Sequence, residues 1–261
     1  MTLDQRVLYQ FPLSLYCEKV RWNLDAKGLD YTCRDLVPGL HAPTAWRLAG
    51  QRCLPILVDG QHRIGDSTKI ALYLENTYPK RALLPVDDVA RKRVIQLEDF
   101  FDELGDHVRR YCWSLAVERD EVSDIFFNFS GYTRWQRMLA DSSKPLLRQM
   151  IRRTFQVYEP CVADSWEKIQ NTLLQMEDWL QGNVNHYLVG DRFTLADLTA
   201  ASMLAPLFGP ENSPWADNRM PPLTQQLRAE SRNTLAGQWV LRLYRDYRVG
   251  NWIFKNGDSL I

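Results

Sequence analysis

Short apolar runs and short helical patterns alternate over the first eighty residues. Val7–Phe11 has the apolar, aromatic and β-branched bias of a strand, and Pro12 ends it. Val20 and Leu24 then fall on one helical face, and Gly28 is a typical helix stop. The pattern predicts a strand, a tight loop and the N-terminus of a helix.

A hairpin and a second helix are predicted next. Residues 52–64 have the pattern of a strand, an Asp-Gly turn and a second strand. Pro55 stands at the start of the first of these strands, where proline is tolerated. A helix is predicted to begin at Asp66 and Ser67, and its apolar face would consist of Ile70, Ala71, Leu74 and Thr77.

Long helical periodicity replaces the short elements after residues 80–90. Apolar residues then recur at helical spacing, at Leu97, Phe100, Phe101 and Leu104 and again at Trp166, Ile169, Leu173, Met176 and Leu180. We therefore predict a first domain at residues 1–82, a linker at 83–88 and an all-helical domain at 89–261. An aromatic-rich segment near residues 120–150 has the character of an insertion.

Composition is that of a globular enzyme. The 261 residues are 45% hydrophobic and 25% charged, which suits one large or two moderate domains. Lys+Arg and Asp+Glu both number 32, so the chain has no overall charge that would favour nucleic acid. The absence of a long apolar run and of a signal-peptide pattern predicts a cytoplasmic protein without a membrane partner.

Five cysteines are scattered along the chain, at positions 17, 33, 53, 112 and 161. Their spacing predicts neither a disulfide framework nor a metal site. We expect Cys33, Cys53, Cys112 and Cys161 to be buried small hydrophobic residues. Cys17 differs because it lies one turn after Ser14, at the predicted start of a helix.

The spacing Ser14-x-x-Cys17 is that of a redox Cys-x-x-Cys motif, with a hydroxyl in place of the first sulfur. A helix N-terminus stabilises an anion such as a thiolate, but a serine cannot take part in a redox cycle. Ser14 is therefore a candidate catalytic residue, and the plain alternative is that it only caps the helix. Cys17 is either a structural residue or a second candidate reagent.

Asp66 and Ser67 lie at a second predicted helix N-terminus that is suited to bind a ligand. The free N–H groups suit a carboxylate and Asp66 suits an ammonium group, so the pair fits the zwitterionic head of an amino acid. Simple capping is again the alternative. Before Pro55, the backbone of Leu54 would be exposed for pairing with an extended peptide ligand if the bond between them were cis.

These three features, in this order, resemble the glutathione S-transferase family. The resemblance continues in residues 188–198, where Thr194 and Asp197 form a capping box at the start of a helix. It spans nearly the whole chain. It implies a thioredoxin-like α/β N-terminal domain followed by an all-α helical-bundle domain, with glutathione as co-substrate, no metal and a homodimeric assembly.

The resemblance also implies residue roles. Ser14 would donate a hydrogen bond to the glutathione sulfur. The remaining glutathione contacts would come from Leu54 with Pro55 (cysteinyl unit), Asp66 and Ser67 (γ-glutamyl group), and Gln51 or Arg52 (glycyl carboxylate). Two positions depart from the family pattern, which more often has Glu or Gln in place of Asp66 and valine in place of Leu54.

The predicted activity is addition of the glutathione thiolate to an apolar electrophile, or displacement on it. Tyr111 and Trp113 are candidates for the hydrophobic wall of the electrophile site, with packing in the helical core as the alternative. Two other functions stay open. One is a glutathione-fold binding or stress protein without turnover, and the other is a glutathione-dependent thiol–disulfide reductase that uses Cys17.

Overall fold

The computed structural model of the protein describes residues 6–37, 40–119, 121, 122, 125, 145–220 and 222–248. The chain divides into two compact units. The first comprises Met1–Phe100, Tyr187–Ser202 and Leu243–Ile261, and the second comprises Phe101–His186 and Met203–Arg242. Most of the insertion predicted near residues 120–150 lies outside the described residues.

A four-stranded mixed sheet lies in the first unit, with the strand order β2-β1-β3-β4. Its strands are β1 (Val7–Gln10), β2 (Thr32–Asp35), β3 (Ile56–Asp59) and β4 (His62–Gly65). β1 is parallel to β2 and antiparallel to β3, so that Leu8 lies opposite both Cys33 and Leu57. β3 and β4 form the predicted hairpin, and Gly60 supplies the positive φ of 58° in its turn.

Helices alternate with the strands and then continue alone. They are α1 (Leu15–Ala26), α2 (Ala42–Ala49), α3 (Ser67–Thr77), α4 (Asp88–Glu118), α5 (Glu159–Trp179), α6 (Leu195–Phe208), α7 (Pro222–Ser231) and α8 (Leu235–Tyr247). Residues 145–154 are also helical. A small α/β domain followed by a helical domain is the predicted fold class, which is confirmed. No helix in the described part of the chain has both the length and the apolar composition to cross a membrane.

The core of the first unit lies between the sheet, α1 and α3. Val20 and Leu24 of α1 pack in one cluster with Leu8, Leu57 and Leu74, as the apolar pattern predicts. Glu18, Lys19 and Arg21 of α1 are fully buried as well, which that pattern does not predict. A buried charge is stable only when it is paired, and Arg21 Nε accordingly lies 2.8 Å from Glu18 Oε2.

The predicted face of α3 is correct except at its end. Ile70, Ala71 and Leu74 are buried, but Thr77 is exposed and Glu75 is buried in its place. The Glu75 carboxylate lies 2.7 Å from Lys27 Nζ and accepts the backbone N–H groups of residues 83 and 84. The helix therefore uses a charged side chain to hold the following turn.

Two further sequence predictions need correction. Phe100 lies in the predicted apolar stripe of α4, yet 38% of it is exposed, whereas Phe101 is buried. Among the four cysteines expected to be buried, Cys33 is buried, Cys112 and Cys161 are half-buried, and Cys53 is exposed. Cys53 is exposed because it belongs to the turn that precedes β3 and not to a packed element.

One half of the predicted capping box at the start of α6 is present, and the Thr194 hydroxyl donates to Asp197 in place of the other half. The Asp197 carboxylate accepts hydrogen bonds from the N–H and Oγ1 of Thr194, at 2.8 and 2.7 Å, and from the N–H of Leu188 at 2.8 Å. Burial raises the pKa of Asp197 to about 6, against the opposite effect of these hydrogen bonds. The ring of Phe193, before the cap, stacks on Tyr247 with centroids 4.3 Å apart.

Candidate functional site

Ser14 is the N-cap of α1 and lies in the loop that follows β1. Its backbone is extended, with φ −84° and ψ 125°, and its Oγ accepts a hydrogen bond of 3.3 Å from the N–H of Cys17. The Ser14 N–H donates to the carbonyl of Phe11 at 3.1 Å. The hydroxyl of the half-buried Ser14 thus lies at the helix N-terminus, a position where an anion is stabilised.

Cys17 lies one turn into α1 and points into the core. The residue is fully buried, in a cluster with Ala45, Leu54 and Ile56. Burial raises the pKa of the Cys17 thiol, although the charge of Arg21 and the hydrogen bond with Ser14 act in the opposite direction. In this arrangement Cys17 is a neutral packing residue and not an exposed thiolate.

The loop that carries Ser14 is held from behind by Arg21. Arg21 Nη2 donates to the Pro12 carbonyl at 3.0 Å, and Arg21 Nη1 donates to the side-chain oxygen of Gln10 at the end of β1. Proline has no N–H group, so the Pro12 carbonyl is the one backbone group of that residue that can fix the loop. Arg21 therefore connects the end of the strand, the loop and the helix.

Leu54 lies close to this loop, as its shared cluster with Cys17 indicates. The Leu54-Pro55 bond is cis, and β3 begins directly after it at Ile56. Leu54 is buried, with 9% exposure. The structure thus brings together the Ser14 loop and the Leu54-Pro55 turn, two of the three features on which the sequence interpretation depends.

Gln51 supports the turn that contains Leu54. Its side-chain Nε2 donates to the carbonyls of Cys53 and Pro55, at 2.8 and 3.3 Å. A Cβ atom at Gly65 would lie 2.1 Å from Gln51 Oε1, so the absence of a side chain there makes room for the Gln51 amide. The amide nitrogen of Gln51 is therefore already engaged, whereas the neighbouring Arg52 is exposed.

Asp66 and Ser67 begin α3 with unusual backbone geometry. Asp66 has φ 72° and ψ 129°, a conformation that a residue with a side chain rarely adopts. Its Oδ1 accepts the N–H of Lys69 at 3.0 Å, and the residue is exposed. Ser67 is buried, with 3% exposure. The predicted cap is present, and the exposed carboxylate of Asp66 has a further oxygen for a ligand.

A buried ion pair lies behind this second helix N-terminus. Lys19 of α1 pairs with Glu98 of α4, and both side chains are almost completely buried. Thr68 connects the two, because its Oγ1 accepts from Lys19 Nζ and donates to Glu98 Oε1, both at 2.9 Å. The residue after Ser67 is thereby fixed to α1, the helix that begins at Ser14.

The site therefore offers two helix N-termini, a hydroxyl, an exposed carboxylate and a turn that precedes a cis proline. Among the described residues, no cluster of histidine, cysteine, aspartate and glutamate side chains is suited to hold a metal ion. The arrangement suits an anionic, peptide-like ligand.

Sequence comparison identifies the family. Models of the glutathione S-transferase N-terminal and C-terminal domains match residues 8–82 and 139–217. Glutathione S-transferase TCHQD of Arabidopsis thaliana is 38% identical over 209 residues, which cover 77% of this chain and 76% of that protein. The chain belongs to the glutathione S-transferase family. Membership supports a glutathione-conjugating function in general terms.

Other glutathione S-transferases match the chain in part or in fold. Glutathione S-transferase 1 of Dianthus caryophyllus is 42% identical over 83 residues, which are 31% of this chain and 38% of that relative. The match therefore spans less than half of that relative. The crystal structure of a glutathione S-transferase from Xanthobacter autotrophicus Py2 superposes with a TM-score of 0.61 at 19% identity, over 96% of this chain and 98% of that chain. At this identity the likeness establishes the fold.

The two aromatic residues expected to contact the electrophile lie in the second unit. Tyr111 stacks on Trp166 with centroids 4.4 Å apart, and burial raises the pKa of its hydroxyl. Trp113 stacks on Phe155 at 6.2 Å and packs against an apolar cluster. Both rings are half-buried, and their role toward an electrophile stays a prediction.

The sequence interpretation missed Arg21 as a support of the site, and it named Gln51 only for the glycyl carboxylate and not for its contacts within the turn. The sequence contains a signal that Arg21 is buried. Glu18, Lys19 and Arg21 lie in a helix whose other faces carry Cys17 and Trp22. A helix with so few positions for a solvated face is expected to bury some of its charges. The role of Gln51 depends on the path of the turn, and no local pattern marks it.

Proposed function

We propose that this glutathione S-transferase ionises the thiol of glutathione at Ser14 and transfers the thiolate to an apolar electrophile. The thiol loses its proton, and the sulfur forms a bond to an electrophilic carbon. In an addition the electrons move onto the acceptor, and in a displacement the leaving group departs with its bonding pair. The observation that carries the proposal is the half-buried Ser14 hydroxyl at the N-terminus of α1, which accepts from the N–H of Cys17.

The physical basis is stabilisation of the charged sulfur. An ordinary thiol has a pKa of about 8.5 and is mostly protonated at neutral pH. The serine hydroxyl, whose oxygen is polarised by the N–H group that it accepts, would donate to the thiolate, and the helix dipole adds to the effect. Lowering the thiol pKa by about two units would make the thiolate the main form at neutral pH.

The rest of glutathione would bind along the residues already described. The backbone of Leu54 before Pro55 would pair with the cysteinyl unit, as in strand addition at an edge. Asp66 and Ser67 would hold the γ-glutamyl group, for which the exposed Asp66 carboxylate is suited. Arg52, rather than Gln51, is the better candidate for the glycyl carboxylate, because the Gln51 amide nitrogen donates to two backbone carbonyls.

The reductase alternative has less support. It requires Cys17 to attack as a thiolate, whereas the Cys17 side chain is fully buried and burial raises its pKa. The binding-protein alternative shares the same glutathione contacts, and only turnover distinguishes it from the transferase.

A binding test followed by an activity panel decides between these functions. We expect retention on glutathione-agarose, conjugation of at least one of a set of aryl halides and enals, and unchanged turnover in Cys17→Ser. Retention without turnover on the whole set would favour the binding protein. Loss of disulfide reduction in Cys17→Ser, with conjugation retained, would support the reductase, and failure to bind glutathione would refute the proposal.

A further inference from the structure

A buried chain of charges runs from the end of α8 to the Ser14 loop within the first unit. Arg248 directly follows α8, and its Nε lies 2.8 Å from Glu18 Oε1. Glu18 Oε2 in turn lies 2.8 Å from Arg21 Nε, and Arg21 Nη2 donates to the Pro12 carbonyl at 3.0 Å. One carboxylate thus accepts from two arginines, on a separate oxygen for each.

Arg248 is anchored on its other side as well. Its Nη1 pairs with Asp25 of α1, and its side chain is completely buried. Its N–H donates to the carbonyl of Tyr244 at 3.2 Å, and the Tyr244 hydroxyl donates to Glu18 at 3.5 Å. The position of Arg248 is therefore fixed by two acidic partners and by the last turn of α8.

The charges in this chain are balanced as long as Arg248 is present. Burial acts to raise the pKa of Glu18, but the positive charges of Arg248 and Arg21 hold it below its usual value. Glu18 is then an anion with both oxygens occupied, and Arg21 Nη2 donates to the Pro12 carbonyl. Without Arg248, Arg21 would be the one arginine left on Glu18 among the contacts described, and full pairing with both carboxylate oxygens would draw its guanidinium away from the loop.

We propose that Arg248 is a positioning residue for Ser14, acting through Glu18, Arg21 and the Pro12 carbonyl. The inference rests on the proposed role of Ser14 in ionising glutathione. In this inference Arg248, which follows α8, controls the position of the Ser14 loop, which lies near the start of the sequence. The contacts with the glutathione peptide at Leu54, Asp66 and Ser67 lie outside this chain of charges, so the effect falls on ionisation and turnover more than on binding.

The test uses the full-length protein with Arg248→Gln and the more conservative Arg248→Lys, which keeps a positive charge but cannot bridge Glu18 and Asp25 with a planar fork. In Arg248→Gln we expect the pKa of the bound glutathione thiol to rise by about one unit, which is about tenfold less thiolate at neutral pH. We expect kcat to fall by about tenfold and the KM for glutathione to change by less than about twofold. Arg248→Lys should show a smaller change in the same direction.

Two control variants separate positioning from general destabilisation. Arg245→Gln removes an arginine in the last turn of α8, close to Arg248 in sequence. Its side chain is 72% exposed and pairs only with its neighbour Asp246 among the contacts described. Thr194→Ala removes a buried cap of α6 and lowers stability without touching the chain of charges. Neither should alter the thiol pKa. An Arg248→Gln or Arg248→Lys protein that folds and keeps the wild-type thiol pKa and kcat would overturn the inference.

A second readout does not depend on glutathione. The N–H groups of Ser14, Cys17 and Glu18 are hydrogen-bonded within the loop and the helix start, so their hydrogen exchange in the free protein reports the loop directly. We expect faster exchange over residues 11–18 in the Arg248 variants and not in Arg245→Gln. Unchanged exchange refutes the coupling. If exchange is faster in the variants but the wild type itself does not bind glutathione, the proposed function is refuted while the coupling stands.

Discussion

Replacing Ser14 with alanine tests the proposed chemistry most directly. The substitution deletes one hydroxyl from a half-buried N-cap and leaves the backbone of the loop in place. The substitution has two expected effects, and each is measured separately. The thiolate loses its proposed hydrogen-bond donor, and the first turn of α1 loses the side chain that accepts the N–H of Cys17.

The two effects have different expected sizes. A hydrogen bond to a charged group is worth about 1.5–3 kcal/mol, which corresponds to a rise of about one to two units in the pKa of bound glutathione. The cap contact is 3.3 Å long, at the weak end of hydrogen-bond geometry, so its loss should cost about 0.5–1 kcal/mol of stability. Turnover should therefore fall by about ten- to a hundredfold, while the protein remains folded and binds glutathione nearly as before.

The assay is an ultraviolet titration of the bound thiolate, together with steady-state turnover at saturating glutathione. Thr234→Ala is the matched control, because its Oγ1 accepts the N–H of Gly237 at 3.2 Å at the start of α8, far along the chain from Ser14. It should lose similar stability with no change in the thiol pKa. If Ser14→Ala has the wild-type thiol pKa and turnover, Ser14 is only a helix cap, and the activating group must be sought elsewhere in the loop.

Two other predictions concern binding and stability. Asp66→Ala and Ser67→Ala should each weaken glutathione affinity by about one to two decades, since a hydrogen bond to a charged group contributes about 1.5–3 kcal/mol. Unchanged affinity of both variants in calorimetry would contradict the proposed γ-glutamyl site. Burial raises the pKa of Asp197 to about 6, so the native state holds this proton more tightly than the unfolded chain, and the stability that it contributes is lost as pH rises from about 4 to about 6. In urea denaturation the wild type should lose about 2 kcal/mol relative to Asp197→Asn across that interval, and parallel pH profiles would show that the group is ionised throughout.

The features predicted well from sequence are those with local causes. The hairpin turn at Gly60, the cap at Ser14, the cap at Asp66 and the capping box at Thr194 each depend on residues within a few positions of one another. Turn and cap residues act through their own backbone preferences, so a short stretch of sequence is enough to predict these features.

The features that sequence did not predict depend on distant partners. Phe100 and Phe101 have identical side chains and are adjacent in sequence. Only the packing of α4 determines that Phe101 is the buried one. Gln51 was expected to meet the glycyl carboxylate, but its amide lies against Gly65 of β4, fourteen positions away in the sequence. Helical periodicity and turn chemistry carry no information about such packing contacts.

The buried charges of α1 are the clearest example, and they bear on function. Glu18 meets Arg248, 230 positions away, and Lys19 meets Glu98. Apolar residues of similar volume often stabilise a fold as well as a buried ion pair does, or better, because both ions must be desolvated. Stability alone therefore gives little reason for these pairs to lie in the helix that begins at Ser14. Fixed geometry gives a better one, since an arginine fork and a carboxylate define direction as well as distance. For the proposed role, the Ser14 hydroxyl would have to be held to within a fraction of an ångström of the position from which it donates to the thiolate.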